Sequence, residues 1–309
     1  EAKELDGLSG YKAGFEVKTR SKKTTFYTYY KLMHRNDSMD LQYLIYPDEW
    51  NIQKINSTIN LGMEHTYKYI GGNGTINVLL KSSSLESDYA YAYLSLEAVN
   101  KNRLGKKFQL NTRVFGQYGT GSSWAPESQL YLAGANPEEM MDNKFLRSKG
   151  WFPSDWANGY GVNTGNFQYG GGLNLRGYNN YLVTEEVDTN DIRTIYKGTS
   201  GFAVNTELEF NKLVRFNPKF LKNTFKLTTY LFGDAGMINV NNTNEPFKLS
   251  NLRADAGVGA TLSINKWGPL EMVNPLVIRF DMPLFLNRIP FVQNDYVAFR
   301  WLFSISRAF

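Results

Sequence analysis

Alternating apolar and polar positions run through much of the chain and predict β-strands rather than helices. In residues 202–210, large apolar side chains occupy the even positions, while Asn205 and Glu207 lie between them. Successive side chains of a strand point to opposite faces, so this segment has one apolar and one polar face. The same alternation appears in residues 276–284 and 297–305.

Counted in this way, the sequence predicts about twelve strands. They are 11–22, 25–36, 38–47, 56–70, 74–84, 88–100, 106–119, 199–214, 223–239, 252–266, 274–287 and 295–309. Most are long enough to cross a bilayer, which takes a tilted strand about 9 to 11 residues. The long connection, about 120–198, follows the seventh strand. If both termini lie on the periplasmic side, a connection that follows an odd-numbered strand lies outside the cell, where such barrels have their long loops.

Composition agrees with a membrane β-barrel. The 309 residues include 20 Phe, 20 Tyr, 6 Trp and 27 Gly, yet mean hydropathy is −0.41 and the net charge is +5. A polar average rich in aromatic residues is typical of strands that place apolar side chains at every second position. The sequence has no cysteine, so disulfide scaffolds and thiolate metal sites are excluded. It has no dense basic patch, and we therefore expect no nucleic-acid partner.

A soluble β-sandwich or lipocalin-like barrel would alternate in the same way, with its apolar face inside. Three features favour the membrane barrel: the strands are long, their polar faces carry many charged and amide side chains, and aromatic residues cluster near strand ends. Those aromatic residues are Tyr27, Tyr29, Tyr30, Tyr67, Tyr69, Tyr89, Tyr91 and Tyr93. We therefore predict that apolar side chains face lipid and polar ones enclose a wet interior.

The end of the sequence alternates up to an aromatic residue. Trp301, Phe303 and Phe309 form a pattern that resembles the C-terminal assembly signal of bacterial outer-membrane barrels. On this resemblance we predict that the three side chains serve as that signal.

Two short motifs carry a family resemblance. One is Leu175-Arg176-Gly177-Tyr178, and the other, on the second strand after it, comprises Phe232, Asp234 and Gly236. Together they resemble motifs of the outer-membrane assembly-factor superfamily, also called the bacterial surface antigen family, which includes barrel insertases and two-partner-secretion translocators. In that family the first motif lies in an extracellular loop that folds into the barrel, and five strands follow the loop, as predicted here. The resemblance covers about residues 106–309.

The resemblance implies an all-β fold, a transmembrane antiparallel β-barrel over residues 11–309, with 120–198 folded into its lumen and 1–10 as a short periplasmic segment. Arg176 would form a charge-assisted pair with Asp234. Gly177 would let the loop tip turn without a clash. Tyr178 would pack against Phe232 and the lumen wall.

Gly236 would allow close approach of the loop backbone. Other charged residues predicted to face the lumen are Glu207, Glu209, Asp255, Arg279, Asp281 and Arg300. They form either an ion-pair lattice or a simply solvated surface, and the sequence leaves both open.

The implied function is insertion of proteins into the bacterial outer membrane or their translocation across it. The expected partners are outer-membrane lipid and lipopolysaccharide, client proteins, and periplasmic or surface subunits. Two departures limit this inference: the family barrel has sixteen strands, and its insertases and translocators carry periplasmic domains before the barrel.

Two alternatives follow. Some surface enzymes of Bacteroidetes-type bacteria, such as gluzincin-type zinc aminopeptidases, are fused to related barrels, and residues 134–143 faintly resemble them. The chain would then anchor an enzyme or a surface complex. A general diffusion porin is a third possibility, against which a lumen filled by 120–198 argues.

We predict no catalysis, cofactor or metal site within the chain. His-Glu-x-x-His, Gly-x-Ser-x-Gly and the phosphate-binding glycine loop are absent, and the two histidines lie apart. The adjacent acids Glu138 and Glu139 follow Pro137 and are predicted to cap a short helix. Residues 188–191 read as a solvated acidic loop rather than a calcium site.

Overall fold

A computed structural model describes the fold. The described residues are 2–5, 8–35, 49–142, 168, 170–179, 183–188, 191–210, 224–240, 247–264, 276–288, 296–305 and 307–309. The strands are β1 (Ala2–Leu5), β2 (Leu8–Lys18), β3 (Thr24–Arg35), β4 (Ile55–Tyr69), β5 (Gly72–Ser83), β6 (Ala90–Leu104), β7 (Phe108–Ser123), β8 (Leu130–Tyr131), β9 (Val183–Asp188), β10 (Asp191–Ile195), β11 (Lys197–Gly198), β12 (Gly201–Glu209), β13 (Phe225–Ile238), β14 (Arg253–Ile264), β15 (Leu276–Leu286) and β16 (Leu302–Ile305). The α-helix is α1 (Pro137–Asp142), and single 3-10 turns cover Pro126–Ser128 and Arg176–Tyr178.

Twelve of these strands form one antiparallel sheet. Its order runs from β1 to β7 and then from β12 to β16, so each strand pairs with its neighbour in sequence apart from the step from β7 to β12. Within the described residues, no register pair joins β1 to β16. Short turns connect β2 to β3, β4 to β5 and β6 to β7 at one end of the sheet. The connection from β7 to β12, residues 124–200, leaves from the opposite end, and we call it the inserted segment.

The two faces of the sheet are inverted relative to a soluble protein. In β13 the buried positions are the even ones from Thr228 to Ile238, whereas Leu231 on the other face is 47% exposed. In β12, Phe202 and Val204 are exposed, whereas Asn205 and Glu207 on the other face are buried. This agrees with the predicted alternation in both strands. We call the two surfaces the apolar face and the polar face.

The described parts of the inserted segment pack against the polar face. Their apolar residues, such as Leu132, Leu173 and Leu175, form a small buried cluster with Phe115 and Leu286 of the sheet. Short strands hold the segment together, because β8 pairs with β11 and β9 pairs with β10. The sheet therefore buries polar side chains beneath the inserted segment, and many large apolar side chains on its other face are exposed.

The strand boundaries differ from the predictions in several places. The predicted strand 38–47 lies outside the described residues. In the sheet, β3 pairs directly with β4. The first ten residues include β1 and the start of β2, which begins at Leu8 rather than at residue 11. A strand was expected over 295–309, whereas β16 covers only Leu302–Ile305. No helix among the described residues is both long and apolar enough to cross a membrane.

Candidate functional site

The side chain of Arg176 is fully buried where the inserted segment meets the C-terminal half of the sheet. Its Nε donates to Oδ2 of Asp234 at 2.7 Å, and its Nη2 donates to Oδ1 at 3.0 Å. Nη1 donates to Oε1 of Glu207 on the adjacent strand at 2.8 Å. A planar guanidinium matches a carboxylate in this two-bond geometry, which fixes orientation as well as charge. The structure thus brings the two motifs together.

Neighbouring groups hold this contact in place. The ring of Phe232 lies under the guanidinium, with its centroid 3.9 Å from Cζ of Arg176, so a cation–π contact adds to the ion pairs. Nδ2 of Asn205 donates to Oδ1 of Asp234 at 3.1 Å and also lies 3.1 Å from the carbonyl of Asn174. Asn205 therefore links the acid on β13 to the backbone of the inserted segment.

The turn that delivers Arg176 lies just before it in the sequence. Gly172 and Asn174 have φ values of 52° and 55°, in the left-handed region that glycine and asparagine tolerate best. The turn is thus made upstream of Gly177, which lies in a 3-10 turn. At Gly177 the constraint is space, because an added Cβ would meet Cβ of Asp255 at 2.6 Å and the side chain of Leu286.

Tyr178 anchors the other side of the motif. Its ring is buried in the apolar cluster with Leu175 and Leu286. Its hydroxyl donates to Oδ1 of Asn287 at 2.7 Å and accepts from the backbone N–H of Arg288 at 3.2 Å. The sequence analysis predicted that Tyr178 packs against Phe232 and the lumen wall. Its ring packs with Leu286 of the sheet, and the ring of Phe232 contacts Arg176.

Gly236 was expected to admit the loop backbone. The space beside it is filled by the neighbouring strand, since an added Cβ would meet the carbonyl oxygen of Phe202 at 2.7 Å and Cβ of Ala203 at 3.0 Å. Gly236 thus permits close strand packing between β12 and β13 rather than contact with the inserted segment.

The other charged residues predicted for the polar face are all buried there. Glu207 pairs with Arg176, Arg279 with Asp281 at 3.1 Å, and Glu209 with Arg307 at 2.6 Å. Arg300, just before β16, is 7% exposed, and its Nη1 donates to the carbonyl of Leu284 at 3.4 Å. An ion-pair lattice therefore exists in this half of the sheet.

Asp255 stands apart in that lattice. It lies directly opposite Asp234 in the register of β13 and β14, and its side chain lies against Gly177 of the inserted segment. Two acidic side chains thus meet beside Gly177.

A second polar contact joins the inserted segment to the N-terminal half of the sheet. Glu138 of α1 accepts from Lys31 of β3 at 3.0 Å and also pairs with Lys81 of β5. Hydroxyl Oγ of Ser128 donates to the other carboxylate oxygen of Glu138 at 2.6 Å. Burial raises the pKa of Glu138, but the two lysines outweigh burial and leave this pKa below its ordinary value.

A second carboxylate of this part of the segment, Glu127, contacts the same half of the sheet. Glu127 pairs with Arg35 of β3 and accepts from Nδ2 of Asn56 at 2.8 Å. The guanidinium of Arg35 also lies 5.0 Å from the ring centroids of Trp50 and Tyr89. The first half of the inserted segment is therefore held by acids, and the second half by Arg176.

The sequence analysis missed this second set of contacts. Glu138 and Glu139 were predicted to cap a short helix, and Glu139 does so: its Oε2 accepts from the N–H of Asn136 at 3.0 Å, while its own N–H donates back to Oδ1 of Asn136 at 2.8 Å. Glu138 instead reaches the sheet. The available signal was that Lys31 and Arg35 share one face of β3.

The three predicted assembly-signal residues lie in different surroundings. Trp301 is on the apolar face, stacked on Phe280 at a centroid distance of 6.1 Å, and Phe303 pairs in register with Phe280. Phe309 lines a cavity of about 330 Å³ between the sheet and the inserted segment, near Lys81 and Glu138. The role of these three residues in assembly stays a prediction.

An antiparallel sheet with an exposed apolar face, whose polar face is buried under one inserted segment, is typical of transmembrane β-barrel proteins. Within the described ranges, no group of three or more His, Asp or Glu side chains has a geometry suited to a metal ion.

Comparisons with known proteins agree with this class. No family model matches the chain, and no curated protein matches its sequence. CdiB from Escherichia coli is similar in structure, with a TM-score of 0.51 and 14% identity over 95% of this chain and 44% of that chain. BamA from Haemophilus ducreyi, in a structure lacking POTRA domains 1–3, gives 0.49 and 17% over 97% and 55%. CdiB from Acinetobacter baumannii gives 0.44 and 13% over 96% and 40%.

The likeness to CdiB from Escherichia coli, at this low identity, shows a shared fold. It agrees with the all-β antiparallel fold predicted from the sequence. The chain spans less than half the length of that CdiB.

Proposed function

We propose that the chain is a β-barrel of the bacterial outer membrane that acts in inserting proteins into that membrane or translocating them across it. The observation that carries the proposal is the buried pairing of Arg176 with Asp234 beneath a sheet whose outer side chains are apolar. In this arrangement the sheet closes into a barrel, its apolar face contacts outer-membrane lipid and lipopolysaccharide, and the inserted segment lies in the lumen.

The polar face supports a role beyond simple anchoring. A water-filled interior needs only solvated charges, whereas here Arg176 and Lys81 are almost fully buried against acids of the opposite element. Buried ion pairs are weak evidence for stability, but they specify one arrangement of the parts that carry them. A segment held in one arrangement by polar contacts is suited to regulate passage through the barrel.

Proteoliposomes test the proposal. The full-length gene product is reconstituted, an unfolded outer-membrane protein is added, and its folding is followed by heat-modifiable migration on gels. We expect folding to be faster than in empty liposomes, and slower again with Arg176→Ala. Equal rates in protein-containing and empty liposomes, together with unchanged outer-membrane protein levels and secretion after depletion in cells, would contradict the proposal.

A membrane anchor for a larger surface protein is the second candidate. The observation that favours it is that the inserted segment forms buried ion pairs with both halves of the sheet. An anchor needs no opening, so such a tied interior would suit it. An enzymatic domain upstream of this chain in the full-length gene product, combined with inactive proteoliposomes, would favour the anchor.

A further inference from the structure

The N-terminal half of the sheet carries a stripe of cations, Lys31, Arg35 and Lys81, which we call the basic wall. Lys31 and Arg35 share the polar face of β3, and Lys81 lies on β5, two strands away. Each is at most 2% exposed. Side chains this deeply buried need compensating charges, because an unpaired buried cation is costly.

The carboxylates that compensate the basic wall come from one short stretch of chain. Among the described residues, the ion-pair partners of the three cations are Glu127, Glu138 and Asp142, all within residues 126–142. Elsewhere on the polar face, some cations of the sheet pair with acids of the sheet. Arg113, for example, pairs with Glu97 of the adjacent strand.

The same stretch also fits the sheet through an apolar side chain. Met141 is fully buried with Leu8, Met33 and Trp50. It occupies the space above Gly10, where an added Cβ would overlap its methyl group. A carboxylate at Glu138 and an apolar side chain three residues later therefore dock together, as an acidic peptide would on a receptor.

We infer that the basic wall is a binding surface for acidic polypeptide segments, and that residues 126–142 occupy it as an internal ligand. The occupant is an acidic segment with an apolar residue three positions after a carboxylate. When residues 126–142 leave the wall, the three cations lose their carboxylates, and a client segment of that chemistry replaces them. This inference names a partner class for the proposed function and rests on it.

The inference is distinct from the contact of Arg176. At that site the inserted segment supplies the cation and the sheet supplies the acids, Glu207 and Asp234. At the basic wall the polarity is reversed. An acidic peptide is therefore attracted to β3–β5 and repelled from β12 and β13. This difference in charge determines which part of the polar face the peptide binds.

A binding experiment with the full-length chain in nanodiscs tests the inference. The probes are a labelled synthetic peptide with the sequence of residues 126–142 and the same peptide with both Glu127 and Glu138 replaced by Gln. The receptors are the wild type, E127Q/E138Q, and E127Q/E138Q combined with K31Q/K81Q. We expect the acidic peptide to bind E127Q/E138Q at least tenfold more tightly than the wild type, and K31Q/K81Q to abolish the gain.

Glu139→Gln is the matched control, since Glu139 lies in the same helix but bonds to the backbone of Asn136 and Gly172. It should give no gain. Equal binding of both peptides to E127Q/E138Q, no binding of either, or a gain that survives K31Q/K81Q would overturn the inference. If the double variant does not fold, E138Q alone with and without K81Q gives the same comparison. Because no client is folded or moved in this assay, its failure is distinguishable from failure of the proteoliposome experiment.

Discussion

Arg176 and Asp234 meet through two parallel hydrogen bonds, of 2.7 and 3.0 Å, although 58 residues separate them in the sequence. Both side chains are fully buried, and Glu207 satisfies a further nitrogen of the guanidinium at 2.8 Å. One cation thus links the second half of the inserted segment to acids of β12 and β13.

Removing Arg176 should destabilise the protein strongly. Arg176→Ala leaves Asp234 and Glu207 buried without their cation, which costs about 3 to 5 kcal/mol, and less where water enters. The expected result is a lower temperature of heat-modifiable migration and faster proteolysis of the inserted segment. Arg20→Ala, at an exposed position, is the control. Unchanged migration and protease resistance in Arg176→Ala would show that the pair is not structural.

A methyl group at Gly177 should be poorly tolerated. Gly177→Ala places a Cβ against Asp255 and Leu286, and overpacking of this kind costs about 1 to 3 kcal/mol. Gly116→Ala is the matched control, because nothing lies within 4 Å of the Cβ that it adds. Thermal unfolding of the two variants in the same detergent checks the prediction. It is wrong if both variants unfold at the wild-type temperature.

The hydroxyl of Tyr178 should contribute measurably. Tyr178→Phe keeps the ring in its apolar cluster but removes the bonds to Asn287 and Arg288, each worth about 0.5 to 1.5 kcal/mol. We expect a loss of about 1 to 2 kcal/mol in the free energy of unfolding. Tyr118→Phe, at a side chain that is 64% exposed, should be neutral. Equal effects of the two changes would exclude a special role for the buried hydroxyl.

Acid should loosen the first half of the inserted segment. Burial alone would raise the pKa of Glu138. The charges of Lys31 and Lys81 lower this pKa by more than burial raises it, so the folded pKa lies below its ordinary value of 4.5. A depressed folded pKa gives stability that is present above the unfolded pKa and lost as pH falls through the folded pKa.

Proteolysis of residues 124–142 should therefore accelerate as pH falls below about 4.5. Glu138→Gln should cleave faster than the wild type at neutral pH and change less with acid. A wild-type rate that does not depend on pH in this range would contradict the assignment of Glu138 as the anchoring acid.

Charged substitutions at different depths in the membrane test whether the apolar face contacts lipid. Leu231→Arg places a charge near the middle of β13, where a lipid-facing cation costs about 2 to 4 kcal/mol. Leu104→Arg, at the end of β6, should cost no more than about 1 kcal/mol. Folding yield into vesicles measures both. If the two variants insert equally well, Leu231 does not face lipid.

The sequence predicted the alternation of faces because side-chain direction in a strand is a local property. Predicted strand 252–266 corresponds to β14 at Arg253–Ile264, and Leu231 and Phe232 lie on the expected faces. Alternation failed at the bulge of β15, for example, where Leu284 and Phe285 are both exposed. A bulge adds one residue without a sequence signal strong enough to predict it.

Of the two main contacts at the candidate site, one was predicted and the other was missed. The pairing of Arg176 with Asp234 followed from the resemblance, since no spacing rule links residues so far apart. The basic wall was missed because Glu138 lies 57 residues from Lys81 in the sequence, and its partner depends on how the inserted segment crosses the sheet. Local reasoning assigned Glu138 to a helix cap, a role that its neighbour Glu139 fills.

The contact between Asn174 and Ala308 bears on the order of folding. Nδ2 of Asn174 donates to the carbonyl of Ala308 at 3.2 Å, across 134 residues of sequence. Contacts so distant form slowly, because the entropy of closing the intervening chain is lost before they contribute stability. The turn ahead of Arg176 thus reaches its final hydrogen bonding only after the strands up to β16 have assembled, and an unfinished chain would hold it loosely.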